Sequence, residues 1–289
     1  MKLDFEGIMR LADQRETMRL VISGQDDPDA LAAVLKARDR GWVEPVACGR
    51  SLSGAKPDME VLSSSAAIEE ARRTAMNLIQ TGDADLLLDT GPLGTGFLSL
   101  IRDKNMDMSV NPVLSYVNLM VAPRDGRLTL LTDTLINDRP GIKEKIGSVN
   151  NVIRLAKKLG IEAPKIAALA PLELVNPALA STLDAAVLSK MSERGQFGEA
   201  IVEGPLAMDN AESGSAARHK GIDSSVPGDV DIYFFPDLES ANLMSQILAW
   251  TGQCRLAGLM TGTIRPVVIR SPLEAADSWP VNLALGLIS

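Results

Sequence analysis

Short apolar runs alternate with longer helical stretches along almost the whole chain, and this alternation constrains the fold more than any other feature. Residues 20–23 read as a strand, 28–40 as a helix closed by Gly41, and 44–48 as the next strand. A helix over 66–80 closed by Gly82, a strand over 85–88 and a helix near 97–103 follow. Residues 116–122 and 127–132 read as a hairpin across Arg124, Asp125 and Gly126. The second half repeats the order, with helix 141–159, strand 165–169 and helix 181–192, then strands 199–202 and 231–235. A helix ending at Trp250, strands 256–260 and 266–269, and a helix near 281–287 complete the chain. Ser181, with Asp184 three residues on, forms a near capping box that predicts Ser181 as a helix N-cap. Such alternation predicts an α/β fold, a largely parallel sheet with helices on both faces. We place the domain boundary near Pro140: residues 1–139 plus 266–289 form a first α/β domain and 140–265 a second, with a ligand cleft between them.

Composition narrows the partners. A net charge of −8 argues against a nucleic-acid partner, whose phosphates need a basic face. It leaves room for small anions, which need only a local cluster of cations. Aromatic residues make up 3% of the chain, so the core must rest on aliphatic side chains and methionine. Cys48 and Cys254 have no metal-site spacing and lie in apolar surroundings, which predicts buried reduced thiols and fits the cytoplasm. The first residues carry Asp4 and Glu6 and are not expected to be a signal peptide. No apolar run is long enough to predict a membrane span.

The most informative segment is 203–242. Gly204-Pro205 breaks an apolar strand, and Asp209 and Asn210 open a short element. A Ser/Gly-rich stretch then carries Arg218, His219 and Lys220, and a second apolar strand stops at Pro236 before a helix opens around Glu239 to Asn242. Two strands that end side by side in glycine-bearing polar loops make a crevice at the carboxyl edge of a sheet, where open α/β folds hold ligands. His219 is the only histidine and sits between two cations, so it reads as a surface residue and not as part of a Ser-His-Asp triad.

In wording this segment resembles the phosphate acetyl/butyryltransferase family, nearest its phosphotransbutyrylase branch. The resemblance extends through Thr132-Asp133 with Asn137 and Pro140, the run Gly160 to Lys165, and Glu173 with Val175-Asn176-Pro177. It continues in Ser181-Thr182 with Asp184-Ala185-Ala186, and from Leu188 through Gln196. It implies a two-domain α/β/α fold of the isocitrate and isopropylmalate dehydrogenase type, usually dimeric. It also implies acyl transfer between coenzyme A and inorganic phosphate, with coenzyme A as a substrate, no bound cofactor and no metal.

That reaction asks for a base near the coenzyme A thiol, whose pKa is roughly 8.5, and for donors around the phosphoryl group and the oxyanion. The family's serine–arginine pair and later acid point to Ser271, Arg270 and Asp277, although Arg270 precedes the serine and Pro272 stands where the family has arginine. On an extended strand, neighbours point to opposite faces, so Arg270 and Ser271 are expected on different sides. The glycine run from Gly91 to Gly96, with Thr95 matching the family, reads as a phosphate-cradling loop. Lys220, Ser225, Asn242 and Asp209 complete the expected substrate contacts. Asp209 and Asp231 also read as structural, holding loop N–H groups. Asp89-Thr90-Gly91 stands in place of a Lys-Gly pair, Ser109-Val110-Asn111 in place of Arg-Thr-Gly, and Ala241-Asn242 in place of Gly-Asn. Two alternatives stay open: a non-catalytic subunit of the same fold that binds coenzyme A or an anion, and acyl transfer to another acceptor such as acyl carrier protein.

Overall fold

A computed structural model describes residues 3–49, 59–63, 67–93, 95–103, 106, 108–109, 113–121, 126–251 and 254–289. The chain divides into two compact units, Leu3–Pro112 with Arg255–Ser289, and Val113–Cys254. These limits differ from the expected boundaries at 139/140 and 265/266, for a reason that lies in strand pairing. Strand β5 (Ser115–Val121) pairs antiparallel with β6 (Leu128–Thr132), which pairs parallel with β9 (Ile232–Phe234), so the hairpin belongs to the second unit. Its expected turn residues Arg124 and Asp125 lie outside the described residues. Strand β10 (Arg255–Thr261) pairs antiparallel with β11 (Val267–Val268) and therefore goes with the first unit.

The first unit holds strands β1 (Met18–Ser23), β2 (Val43–Cys48), β3 (Glu60–Ser63) and β4 (Leu86–Asp89), in the order β3-β2-β1-β4-β11-β10. All neighbours are parallel except β10 with β11. Helix α2 (Pro28–Asp39) leads from β1 toward β2, whereas α3 (Ile68–Thr81) leads from β3 across to β4. Right-handed crossovers running in opposite directions put these helices on opposite faces of the sheet. Helix α1 (Phe5–Ala12) packs on α10 (Trp279–Ile288), which packs with α2, and α4 (Thr95–Ile101) packs with α3. Helix α10 is apolar almost all round and buried along its length, as expected of a core helix. Gly286 permits its close approach, because a Cβ there would lie 2.8 Å from Leu86 and Val268 side-chain carbons.

Local chemistry marks the helix ends. Asp27 caps α2 by accepting from the Ala30 N–H at 2.9 Å, ahead of Pro28 in the first turn. Gly82 closes α3 in the left-handed conformation, with φ +79. The amphipathic α1, capped by Asp4, was not among the expected elements.

The second unit contains β5, β6, α5 (Ile142–Lys158), β7 (Lys165–Leu169), α6 (Ala180–Glu193) and β8 (Ile201–Leu206). The short helices α7 (Met208–Glu212) and α8 (Gly214–His219) follow, then β9 and α9 (Leu238–Trp250). Its strand order is β5-β6-β9-β7-β8, parallel from β6 onward. Two expectations are corrected here. Gly204-Pro205 does not end its strand: β8 runs through this cis peptide to Leu206, beside a register shift against β7 between Ala167 and Leu169. Ser181 is not an N-cap, since α6 begins at Ala180 with no side-chain cap. The Thr182 hydroxyl ties the entry instead, donating to the Asn176 and Leu179 carbonyls and accepting from the Asn176 N–H at 2.9 Å. Asp184 is drawn away to Lys145, 2.6 Å from its ammonium.

Cys48 and Cys254 are buried thiols, as their apolar neighbours predict. Burial pushes the Cys48 thiol up to about 11 and raises that of Cys254. Native protein at pH 8 is therefore expected to react with a thiol reagent at least tenfold more slowly than a free cysteine. Both thiols should titrate at once in denaturant, and rapid labelling of the folded chain would contradict this burial.

Candidate active site

In the first unit, the parallel strands β1, β4 and β11 end side by side. Ser23 pairs in register with Asp89, and Leu88 with Val268, so the residues after Val268 leave the sheet at the same edge. Because β11 stops at Val268, the expected strand alternation does not govern Arg270 and Ser271. A turn begins here, with the Glu274 N–H donating to the Ser271 carbonyl at 3.0 Å. Ser271 is 1% exposed, and its Oγ accepts from the Leu273 N–H at 3.3 Å. Arg270 lies over the Trp279 ring, donates to the Glu274 carbonyl at 3.3 Å and stands 3.6 Å from Asp27. Asp277 sits in a 3-10 turn, Ala276–Ser278, exposed and 2.9 Å from the Arg255 guanidinium. The buried Asn282 braces this segment by donating to Glu274 at 2.7 Å while accepting from the Gly258 N–H at 3.0 Å.

The neighbouring strand end carries a buried ion pair. Arg72 of α3 meets Asp89 in a bidentate fork, with Nε at 2.9 Å from Oδ2 and Nη2 at 2.7 Å from Oδ1. Ser23 Oγ donates to Asp89 at 2.7 Å, the Gly91 N–H donates to it at 3.1 Å, and Arg72 donates to the Pro92 carbonyl at 3.0 Å. The pair thus holds the start of the glycine run. Of the rest of that run, Gly94 and the Thr95 side chain lie outside the described residues, and Thr95 is known only as the first residue of α4. Val110 and Asn111 also lie outside them.

In the second unit, Lys220 at the end of α8 stands 3.1 Å from Asp209 and 3.3 Å from Glu173. Each partner favours the other's charged form. The bonds to Asp209 and Glu173 raise the lysine, the lysine lowers Asp209, and Glu173 is lowered by a backbone N–H and by Lys220. Ser225 is exposed in a bend, and Asn242 accepts from Gln246 within α9 at 2.5 Å. Among the described residues no side-chain hydrogen bond ties either to Lys220. His219 is exposed. Asp231 holds the Lys165 N–H at 2.9 Å and pairs with Arg127 at 2.7 Å.

A family model described as Phosphate acetyl/butaryl transferase matches residues 50–282. The chain belongs to that family. It is 33% identical to the phosphate butyryltransferase of Clostridium acetobutylicum across 98% of this chain and 97% of that one. It is also 33% identical to the phosphate acetyltransferase of Thermotoga maritima, over 76% of this chain and 75% of that one. A solved branched-chain phosphotransacylase from Enterococcus faecalis superposes with TM-score 0.81 at 27% identity, covering 94% of this chain and 98% of that one. A 4-hydroxythreonine-4-phosphate dehydrogenase from Klebsiella pneumoniae, 13% identical with TM-score 0.50, shares the fold alone. Among the described residues no helix could cross a membrane, and no group of three metal-ligating side chains occurs.

In this family member, several of the residues that carry the resemblance hold backbone groups. Asp133 is buried and accepts from the N–H groups of Tyr116, Leu135, Ile136 and Asn137, and from the Asn137 side chain at 2.5 Å. The residues that sequence reasoning missed are Arg72, with Asp89 as its partner, and Glu274, while Glu173 was singled out by wording but not as the partner of Lys220. Arg72 did leave a signal: it lies on the buried stripe of α3 with Ala75, Met76 and Ile79, where a charge requires a partner. Asp133→Ala is expected to lower stability by about 3 kcal/mol or more, since it strands several buried N–H groups. Chemical denaturation measures this, and a loss below about 1 kcal/mol would show that the loop satisfies them otherwise.

Proposed function

We propose that this chain is a phosphate acyltransferase that interconverts a short-chain acyl-CoA plus phosphate with acyl phosphate plus coenzyme A. The observation that carries this reading is the match to phosphate butyryltransferase over nearly the full length of both chains. In the direction of thioester formation, the coenzyme A thiolate attacks the acyl carbon, the bond from that carbon to the phosphate oxygen breaks, and phosphate leaves. Asp277 takes the thiol proton, Ser271 orients the thiol, and Arg270 or Lys220 holds the phosphate. Thr95, Ser225, Asn242 and Asp209 supply further substrate contacts. Coenzyme A is a substrate here, and the reading calls for no metal. We place the reaction in the cytoplasm and the chain in a homodimer.

Turnover of acetyl-, butyryl- and isobutyryl-CoA with phosphate, followed by release of free thiol, tests the activity. Asp277→Asn is expected to lower kcat by about a hundredfold, as removal of a general base does, with little change in melting temperature because its side chain is exposed. Absence of thiol release by folded protein at millimolar substrates would defeat the proposal. Asp89 in the place of Lys-Gly, and Arg270 ahead of Ser271, favour a second reading, a non-catalytic subunit that keeps coenzyme A binding. Stabilisation by coenzyme A without turnover would select it.

A further inference from the structure

The carboxyl ends of β1 and β4 form a topological switch point. The helix after β1 is α2, on one face of the sheet, and the helix after β4 is α4, which packs with α3 on the other. Strand ends from which the connections diverge are where open α/β sheets hold ligands. At this point Ser23 and Asp89 lie in register, with Arg72 joined to Asp89.

The Arg72 side chain is 4% exposed yet retains donors. Nε and Nη2 make its bonds to Asp89 and Pro92, and Nη1 makes no hydrogen bond to a described residue. Asp89 fixes its plane on one side, and the Phe97 ring lies 4.9 Å from its carbon. The backbone passes close above it: a Cβ on Gly91 would lie 2.4 Å from Nη2. Gly24 is equally confined, since at φ +111 a Cβ there would lie 2.3 Å from the Gly91 nitrogen. Glycines therefore let two strand-end loops close over an arginine whose orientation is already set. An arginine fixed in this way loses little side-chain entropy when its remaining nitrogen, Nη1, donates to an anion.

We infer that Arg72, oriented by Asp89, is a phosphate-binding residue of this chain, presenting Nη1 to a phosphate oxygen of a substrate. This inference rests on the acyltransferase reading for the identity of that substrate, either inorganic phosphate or the phosphates of coenzyme A. Asp89 is a positioning residue: it touches no ligand and acts through Arg72.

Thermal-shift titrations with inorganic phosphate and, separately, with coenzyme A test it on the wild type and on two variants. Arg72→Met/Asp89→Asn removes both buried charges together, leaving neither unpaired, and keeps an acceptor for Ser23 and Gly91. Arg72→Lys keeps the charge without the fork. The double variant is expected to melt cooperatively and to bind one of the two ligands at least about tenfold more weakly, with partial recovery in Arg72→Lys. Weakening toward phosphate alone assigns the site to inorganic phosphate, and weakening toward coenzyme A alone assigns it to that substrate. Unchanged binding of both ligands, or no stabilisation of the wild type by either, overturns the inference. Co-crystals of the wild type with each ligand give an answer that needs no variant to fold: bound phosphate groups all remote from Arg72 Nη1 would also overturn it. Lost binding in a protein that never showed turnover would defeat the acyltransferase reading while leaving the role of Arg72 intact.

Discussion

Parallel hydrogen bonding among β1, β4 and β11 is the constraint from which the rest of the first unit follows. Register couples Val21 to Leu87 and Leu87 to Val267, so three segments far apart in the chain leave the sheet at one edge. Polar residues then gather where the apolar strands run out. Ser23, Asp89 and Ser271 are each the first or nearly the first side chains beyond a fully buried run, and each is itself buried. Buried polar groups need partners, so the strand ends become hydrogen-bonded networks rather than loose loops.

Charge is handled differently in the two units. In the first, Arg72 and Asp89 are both withdrawn from water, and their bidentate geometry and extra bonds offset part of the desolvation cost. In the second, Lys220, Asp209 and Glu173 remain accessible and mutually favour their charged forms. A solvated cluster of this kind adds little to stability but keeps its charges in place at neutral pH. The buried pair gives a fixed direction, whereas the exposed cluster gives charge that can be redistributed on binding.

Much of the architecture was legible in the chain. Period and glycine stops located α2, α3, α5, β7 and α9 to within a few residues, because those signals act locally. The misreadings share one cause, which is that a distant partner outbid a local preference. Asp184 left its capping position for Lys145, thirty-nine residues away. Gly204-Pro205, ordinarily a strand breaker, stays in β8, where a Cβ at Gly204 would lie 2.7 Å from that of Ala168 on the facing strand. The domain limits moved because β6 and β10 chose their neighbours by pairing, which no window of sequence reports. Wording could put forward Asp277, Ser271 and Lys220 as site candidates, but not Arg72, since its stripe position gave no hint of which carboxylate it met.

The order of amino acids alone settled the α/β class, the family and the positions of most helices, since each depends on contacts or wording within a few turns of chain. Tertiary structure alone decided which strands are neighbours, where the two units divide, and that Arg72 and Asp89 face each other across seventeen residues. The physical reason is range. Backbone propensity and capping act between near neighbours, whereas a buried charge can be satisfied only by whatever group the folded sheet brings within about 3 Å of it.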